Sequence, residues 1–426
     1  VSRSSRKRLE DTTPAKTSKS AKGPRNAKGP KSAKKQKRTR PKDPAWAKLT
    51  VILGALLMMV GGGALVTLRM ASAKLDDSIT TSNMIDDKSE AFAGNNIDGA
   101  INLLLVGIDV EPSYTGPGHR EGVLSDTIVV MHIPKSHDQA YLLSIPRDTR
   151  VAIPAERAYG YNGSTEKINA AFGYGYRGVK ADEIAKAKKL DPEVVRRSAG
   201  VDLLSKTVFR LTGIKFHGAM LIDFDGFKGV LEELGGVELC VDQRATSIHL
   251  ALDKQGNIVP TWYEEAADKV HGIPPGGKRL VHEVGCRHFS PELALDYSRI
   301  RKGLDNGDYD RQKNQQKLIK AMIKKAMSKG VVTDLNRLNK VIAAGGKAMV
   351  LDHPGKKLVD FVFTLKDIRP EDLVMIRTNA GNFTSAEING VAFETLSPES
   401  LQLFHSVRDE TISQFLVSHP EFLAPE

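Results

Sequence analysis

The sequence predicts an α/β domain with a mixed central β-sheet flanked by helices on both faces, preceded by a disordered basic tail and a single transmembrane helix. Three observations carry this expectation. From residue 101 onward, short apolar runs bounded by polar turns alternate with helically spaced apolar residues, the pattern of strands covered by helices. Twenty consecutive uncharged residues, Leu49–Leu68, lie between Lys48 and Arg69. Residues 1–48 hold 17 Lys or Arg against three acids, a balance of +14.

The tail (AKGPRNAKGPKSAKKQKRTRPK within it) has almost no apolar residues, so it cannot bury enough surface to offset its ordering entropy. Beyond it stand 45 basic and 48 acidic residues, so the basic balance belongs to the tail and not to a folded nucleic-acid-binding face. No nucleic acid partner is expected. At 1.5 Å per residue, Leu49–Leu68 spans roughly 30 Å, the thickness of a hydrocarbon core. Basic residues crowd its N-terminal side, which predicts a cytoplasmic tail and an outer location for everything after residue 69. Ala71-Ser72-Ala73 has the form of a leader cleavage site; the long basic region and long apolar run favour an uncleaved anchor over 49–69. Residues 70–96 read as a polar linker.

Ile101–Ile108 (INLLLVGI) reads as a buried strand ending at Asp109. Thr127–Ile133 and Ala140–Ile145 read as a hairpin joined by PKSHDQ. Val201–Leu211 and Phe227–Leu234 have helical spacing with glycine stops, and strands are expected at Ala219–Phe224 and Val237–Val241. Residues 242–290 show little periodicity and read as a long surface excursion. Asp310–Lys329 is an amphipathic helix. Helices near Leu338–Val350 and Pro398–Val417 and a strand near Leu373–Arg377 complete the chain. Cys240 and Cys286 are either a disulfide stapling the excursion or two buried thiols. Zinc is disfavoured, because no second ligand pair accompanies Cys286 and His288.

The chemistry concentrates in YSRIRKGLDNGDYDRQKNQQ, Tyr297–Gln316, which sets Arg299, Arg301 and Arg311 among Asp305, Asp308 and Asp310. Guanidinium groups match phosphate oxygens bidentately, so converging arginines point to a phosphate or pyrophosphate; a solvated, self-neutralising loop is the alternative. Gln315 shares a helix face with Arg311, and Asp308 is a candidate cap. Asp109 and Asp126 stand at neighbouring strand ends, where they could share a hard cation such as Mg²⁺ or serve only as turn residues. Arg147-Asp148 follows the third strand, and Asn169 is placed as a helix cap at a loop junction. There is no G-x-x-x-x-G-K-[ST] or G-x-G-x-x-G loop, and GYGYRG at Gly173–Gly178 lacks that spacing; G-x-S-x-G and H-E-x-x-H are absent too.

INLLLVGID, SDT, SIPRDT, KINAAFGYG and ALDYSRIR…GDYDRQKNQQ, behind a basic tail and one anchor, resemble the LytR–CpsA–Psr family of bacterial envelope proteins. The resemblance runs from about Asn102 to Lys329. It implies a catalytic domain over 97–330, with 331–426 as an extension packed on it. It implies a membrane-anchored phosphotransferase that moves a glycopolymer from a polyprenyl-pyrophosphate carrier onto peptidoglycan. By motif, Asp109 and Asp126 correspond to magnesium ligands, and Arg147, Arg299, Arg301, Arg311 and Gln315 to pyrophosphate contacts. Asp308 and Asn169 correspond to a supporting tier. Two positions depart from the pattern. Val110-Glu111-Pro112 replaces an arginine after the first aspartate, leaving Arg120 as a candidate substitute, and Asn314-Gln315 replaces R-Q. Asp148 is the candidate general base. The helices at Val201–Leu211 and Phe227–Leu234 are candidates for a lipid groove. A non-catalytic module that holds the lipid-linked polymer and a membrane-tethered regulator acting through the tail are the competing readings.

Overall fold

The computed structural model describes residues 80–81, 84–85, 87–109, 123–264, 267–331, 334–345, 349–352, 368–424. The expected tail, the anchor at 49–69, most of the linker and Arg120 lie outside the described residues. Among the described residues, no helix is long and apolar enough to cross a membrane.

A mixed seven-stranded sheet organises the fold. Its strands are β1 (Thr80–Thr81), β2 (Ile101–Ile108), β3 (Ser125–Ile133), β4 (Ala140–Ser144), β5 (Gly218–Ile222), β6 (Met349–Asp352) and β7 (Leu373–Ile376), in the spatial order β1-β6-β5-β2-β3-β4-β7. β2, β3 and β4 form an antiparallel meander that contains the expected β3–β4 hairpin, while β5 and β2, β4 and β7, and β1 and β6 run parallel. The continuous apolar runs of β2 and β3 follow from burial on both faces. On one face Leu104, Val106, Ile128, Val130, Tyr141 and Leu143 enter the main core. On the other, Leu103, Leu105, Val129, Met131 and Leu142 pack with Ile319 and Ile323.

The helices are α1 (Asn169–Gly178), α2 (Ala181–Lys188), α3 (Pro192–Thr212), α4 (Phe224–Leu234), α5 (Pro291–Arg299), α6 (Gly307–Ser328), α7 (Leu335–Gly345), α8 (Pro398–Arg408) and α9 (Ile412–Ser418). α3 begins with Asp191 as cap and Pro192 in its first turn, and stops at Gly213 in the left-handed region. The expected single helix over Pro398–Val417 is two, because Glu410 takes a left-handed backbone (φ 58°) between α8 and α9.

Three expectations are corrected. Residues 331–426 are not an extension on a finished domain, since β6 and β7 are members of the central sheet. Residues 242–290 are not an irregular excursion: Ala245–Leu252 pairs with Ile258–Pro260 and Lys278–His282, Trp262–Glu264 with Lys269–His271, and Gly285–Phe289 with Val237–Val241. In that last pair Cys240 faces Cys286, and the two are joined in a disulfide with Cα atoms 3.9 Å apart. The apolar stripes proposed for a lipid groove are core, with Val201, Leu204 and Val208 of α3 and Val230, Leu231 and Leu234 of α4 all buried.

Gly175 of GYGYRG and Gly200 of α3 let α1 and α3 pack closely. A Cβ at Gly175 would lie 2.2 Å from the Ala199 carbonyl oxygen of α3, and one at Gly200 would lie 2.6 Å from the Phe172 ring. Gly175→Ala must therefore push α1 off α3, at about 1–3 kcal/mol. A lower thermal midpoint is expected for Gly175→Ala, and none for Gly99→Ala, where nothing lies within 4 Å.

Candidate active site

One end of the sheet gathers the charged residues, because β2 and β4 end where β3 begins. Gly107 pairs with Thr127 but Ile108 pairs with Ser125, so the register shifts and Asp126 is the extra residue of a bulge. Such bulges re-aim a side chain and recur next to active sites. Asp109 directly follows β2, placing two carboxylates on adjoining strand ends.

Arg147 follows β4 in a turn closed by Thr149, whose N–H and hydroxyl both donate to the Pro146 carbonyl. It is buried, at 9% exposure. Its Nη1 donates to Asp126 Oδ1 at 2.7 Å, and Nε lies 3.7 Å from Asp148 and 4.0 Å from Asp308. Burial opposes this charge, but Asp126, Asp308 and Asp148 outweigh that cost and raise the Arg147 pKa. Arg311, in the second turn of α6 and also buried, lies 2.8 Å from Asp308 Oδ1 and donates to the Asp126 carbonyl at 3.2 Å. Asp308 thus sits between two buried guanidiniums and accepts from Gln312 at 2.9 Å. It is not the expected cap; it lies inside α6, whose N-cap position is Asn306.

Arg299 closes α5 with its guanidinium 4.2 Å from the Phe224 ring centroid and 4.0 Å from Asp109 Oδ2. Arg301 lines a cleft of about 350 Å³ with Arg147, Asp148, Lys167, Asn169 and Leu124. Asn169 is the first residue of α1, not its cap, and its N–H donates to the Arg147 carbonyl at 3.2 Å. The positive end of a helix therefore borders the cleft. Gln315 turns away from this group and donates to the Ser298 carbonyl at 3.2 Å, pinning α6 to α5. At the R-Q position, Asn314 accepts from the Tyr297 hydroxyl.

Two groups escaped sequence reasoning. Lys167 lines the cleft and pairs with Asp148 at 2.9 Å, and its place at the head of KINAAFGYG was the available signal. Asp296 of α5 accepts from Ser247 at 2.6 Å, His282 Nε2 at 2.7 Å and His249 Nδ1 at 3.2 Å. No local spacing announces that cluster, since its members come from α5 and two separate strands. Burial alone would raise the Asp296 carboxyl, but the bonds from His249, His282 and Ser247 hold it at about 2.

Among the described residues no group of three or more His, Cys, Asp or Glu forms a metal cage. The oxygen-only pair Asp109 and Asp126, with side chains 43% and 20% exposed, suits a hard cation that keeps waters and needs one or two carboxylates.

The site is an α/β sheet end whose cleft is bordered by a helix start, with buried arginines beside it held on half-buried carboxylates. The chain belongs to the LytR_cpsA_psr family, whose model matches residues 66–406, well beyond the stretch over which the motifs could be read. It is 26% identical over 298 residues to the polyisoprenyl-teichoic acid–peptidoglycan teichoic acid transferase TagV of Bacillus subtilis (67% of this chain, 61% of the relative). It is 24% identical to the cell wall biosynthesis protein LcpA of Corynebacterium glutamicum, over 76% of this chain and 58% of the relative. The chain thus spans about three-fifths of the length of these two relatives. A third, TagU of Oceanobacillus iheyensis, is 24% identical over 87% of this chain and 95% of its own length. In fold, protein gbs0355 of Streptococcus agalactiae superposes with a TM-score of 0.50 at 20% identity, covering 74% of this chain and 88% of that one.

Two measurements probe this construction. Asp308→Asn removes the charge shared by Arg147 and Arg311 and is expected to cost about 2–3 kcal/mol in chemical denaturation. The Asp296 carboxyl is depressed below its unfolded value of 3.8, so its stabilisation is complete above about pH 4 and lost as pH falls toward 2. Asp296→Asn should flatten the stability–pH curve in that window, by roughly 2 kcal/mol.

Proposed function

We propose that this protein is an extracytoplasmic phosphotransferase, held in a bacterial cell membrane by residues 49–69 with its N-terminus cytoplasmic. On this reading it transfers a glycopolymer from a polyprenyl-pyrophosphate carrier onto peptidoglycan. The observation that carries the reading is the group of buried or ring-stacked arginines, Arg147, Arg311 and Arg299, each set against a carboxylate at the same sheet end. The transferase names of the TagV and TagU relatives support it.

Arg299 and Arg301 would bind and orient the diphosphate, with Arg147 and Lys167 on the cleft wall adding positive potential. Arg311 and Asp308 keep Arg147 and the start of β3 in place while charge develops on the phosphoryl oxygens. Asp109 and Asp126 would hold a Mg²⁺ ion, which when bound supplies Lewis-acid stabilisation of those oxygens. Within the site carboxylates stand against guanidiniums, so cation binding at the two aspartates would release positive charge toward the phosphates. Asp148 lies 2.9 Å from Lys167 and 3.7 Å from Arg147, so its carboxylate is shared between two cations.

The test uses the full-length protein in lipid vesicles with a synthetic polyprenyl-pyrophosphate sugar, peptidoglycan fragments and Mg²⁺. Mass spectrometry should find the sugar joined to peptidoglycan through one phosphate. The product should disappear with EDTA and fall about 100-fold or more in Arg299→Ala. Donor binding without any turnover would replace the transferase with a holding module.

A further inference from the structure

The geometry points to His249 as the general base that takes the proton from the acceptor hydroxyl, with Asp296 as its positioning residue; this rests on the transferase reading above. Asp296 is buried, at 3% exposure, and as a carboxylate it can only accept hydrogen bonds. The bond from His249 Nδ1 therefore fixes the ring tautomer, with the proton on Nδ1 and a lone pair on Nε2. Among the described residues Nε2 has no hydrogen-bond partner, and the side chain is 23% exposed, so the ring is held at one nitrogen and open at the other. That division of labour is what a histidine base needs.

Its position ties it to the site. Asp296 and Arg299 are three residues apart on α5 and share a face of that helix, and Arg299 reaches Asp109 at 4.0 Å. His249 therefore stands one helical turn from the arginine that meets the first aspartate. The charged and titratable groups around it are Asp296 and Arg299 from α5, Asp109 beyond β2, and His282 on the neighbouring strand, which shares Asp296 through its other oxygen. Burial lowers the His249 pKa, with Asp296 and Asp109 opposing and Arg299 assisting, which favours the neutral, proton-accepting ring near neutral pH.

In the step, the acceptor O–H gives its proton to His249 Nε2 while that oxygen bonds to the phosphorus nearest the polymer sugar. The bond from that phosphorus to the bridging oxygen breaks, polyprenyl phosphate leaves as an anion with the electron pair, and His249 returns the proton to solvent.

Transfer rate against pH and donor affinity would be measured for full-length wild type, His249→Gln and His249→Ala in vesicles. Support is a fall of about 100-fold in kcat for His249→Gln with donor Kd within twofold, and loss of the acid limb of the pH–rate profile. Partial rescue of His249→Ala by added imidazole would mark the lost group as a base, which a packing role would not reproduce. Wild-type rates in His249→Gln, or donor affinity falling in parallel with rate, would overturn the proposal while leaving the transferase intact. A wild-type protein that transfers nothing would overturn both.

Discussion

The bond from Arg147 to Asp126 is the constraint around which the site is built. A buried guanidinium without partners costs several kcal/mol, so the fold must bring carboxylates to it from wherever the chain allows. It takes Asp126 from a bulge in β3, Asp148 from its own turn and Asp308 from α6. Those three lie up to 182 residues apart in sequence, so satisfying one side chain fixes the sheet end, the β4 turn and a helix N-terminus together. Arg311 then repeats the arrangement from the α6 side, using Asp308 and the Asp126 carbonyl. The arginines are thereby preorganised, and a phosphate need not order them on arrival.

Much of this was legible. Strands ended in aspartate or Arg-Asp, the strand and helix types were signalled by apolar period, and Arg147, Asp126, Asp308 and Arg311 do meet. What stayed hidden was whatever depends on pairing partners. Met349–Asp352 and Leu373–Ile376 are four residues each, too short for their alternation to declare which sheet they join. Residues 245–289 form short strands with mixed burial, so a two-period never emerges from their polar residues. Lys167 and His249 were missed for the same reason: each acquires its partner, Asp148 or Asp296, only through tertiary contact.

The C-terminal residues show why a boundary at 330 fails on physical grounds. Gln316, buried on α6, donates to the Leu142 carbonyl and Ser144 hydroxyl of β4 and to the Ile376 carbonyl of β7, so one amide locks both strands to the helix that carries Arg311. Glu394 is buried at 5% exposure, and its carboxylate accepts from the Tyr309 hydroxyl, the Thr384 N–H and the Ser385 hydroxyl. Its backbone N–H meanwhile donates to the Asp148 carbonyl at 2.9 Å. Tyr309 is the neighbour of Asp308, and Asp148 is the neighbour of Arg147. One residue near the C-terminus therefore braces both of the segments whose charges meet in the site. Without it the α6 start and the β4 turn would each keep local structure but lose a shared reference point. A charged cluster whose energy depends on distances of 3–4 Å needs such bracing, because interactions this short-ranged fall away with small displacements.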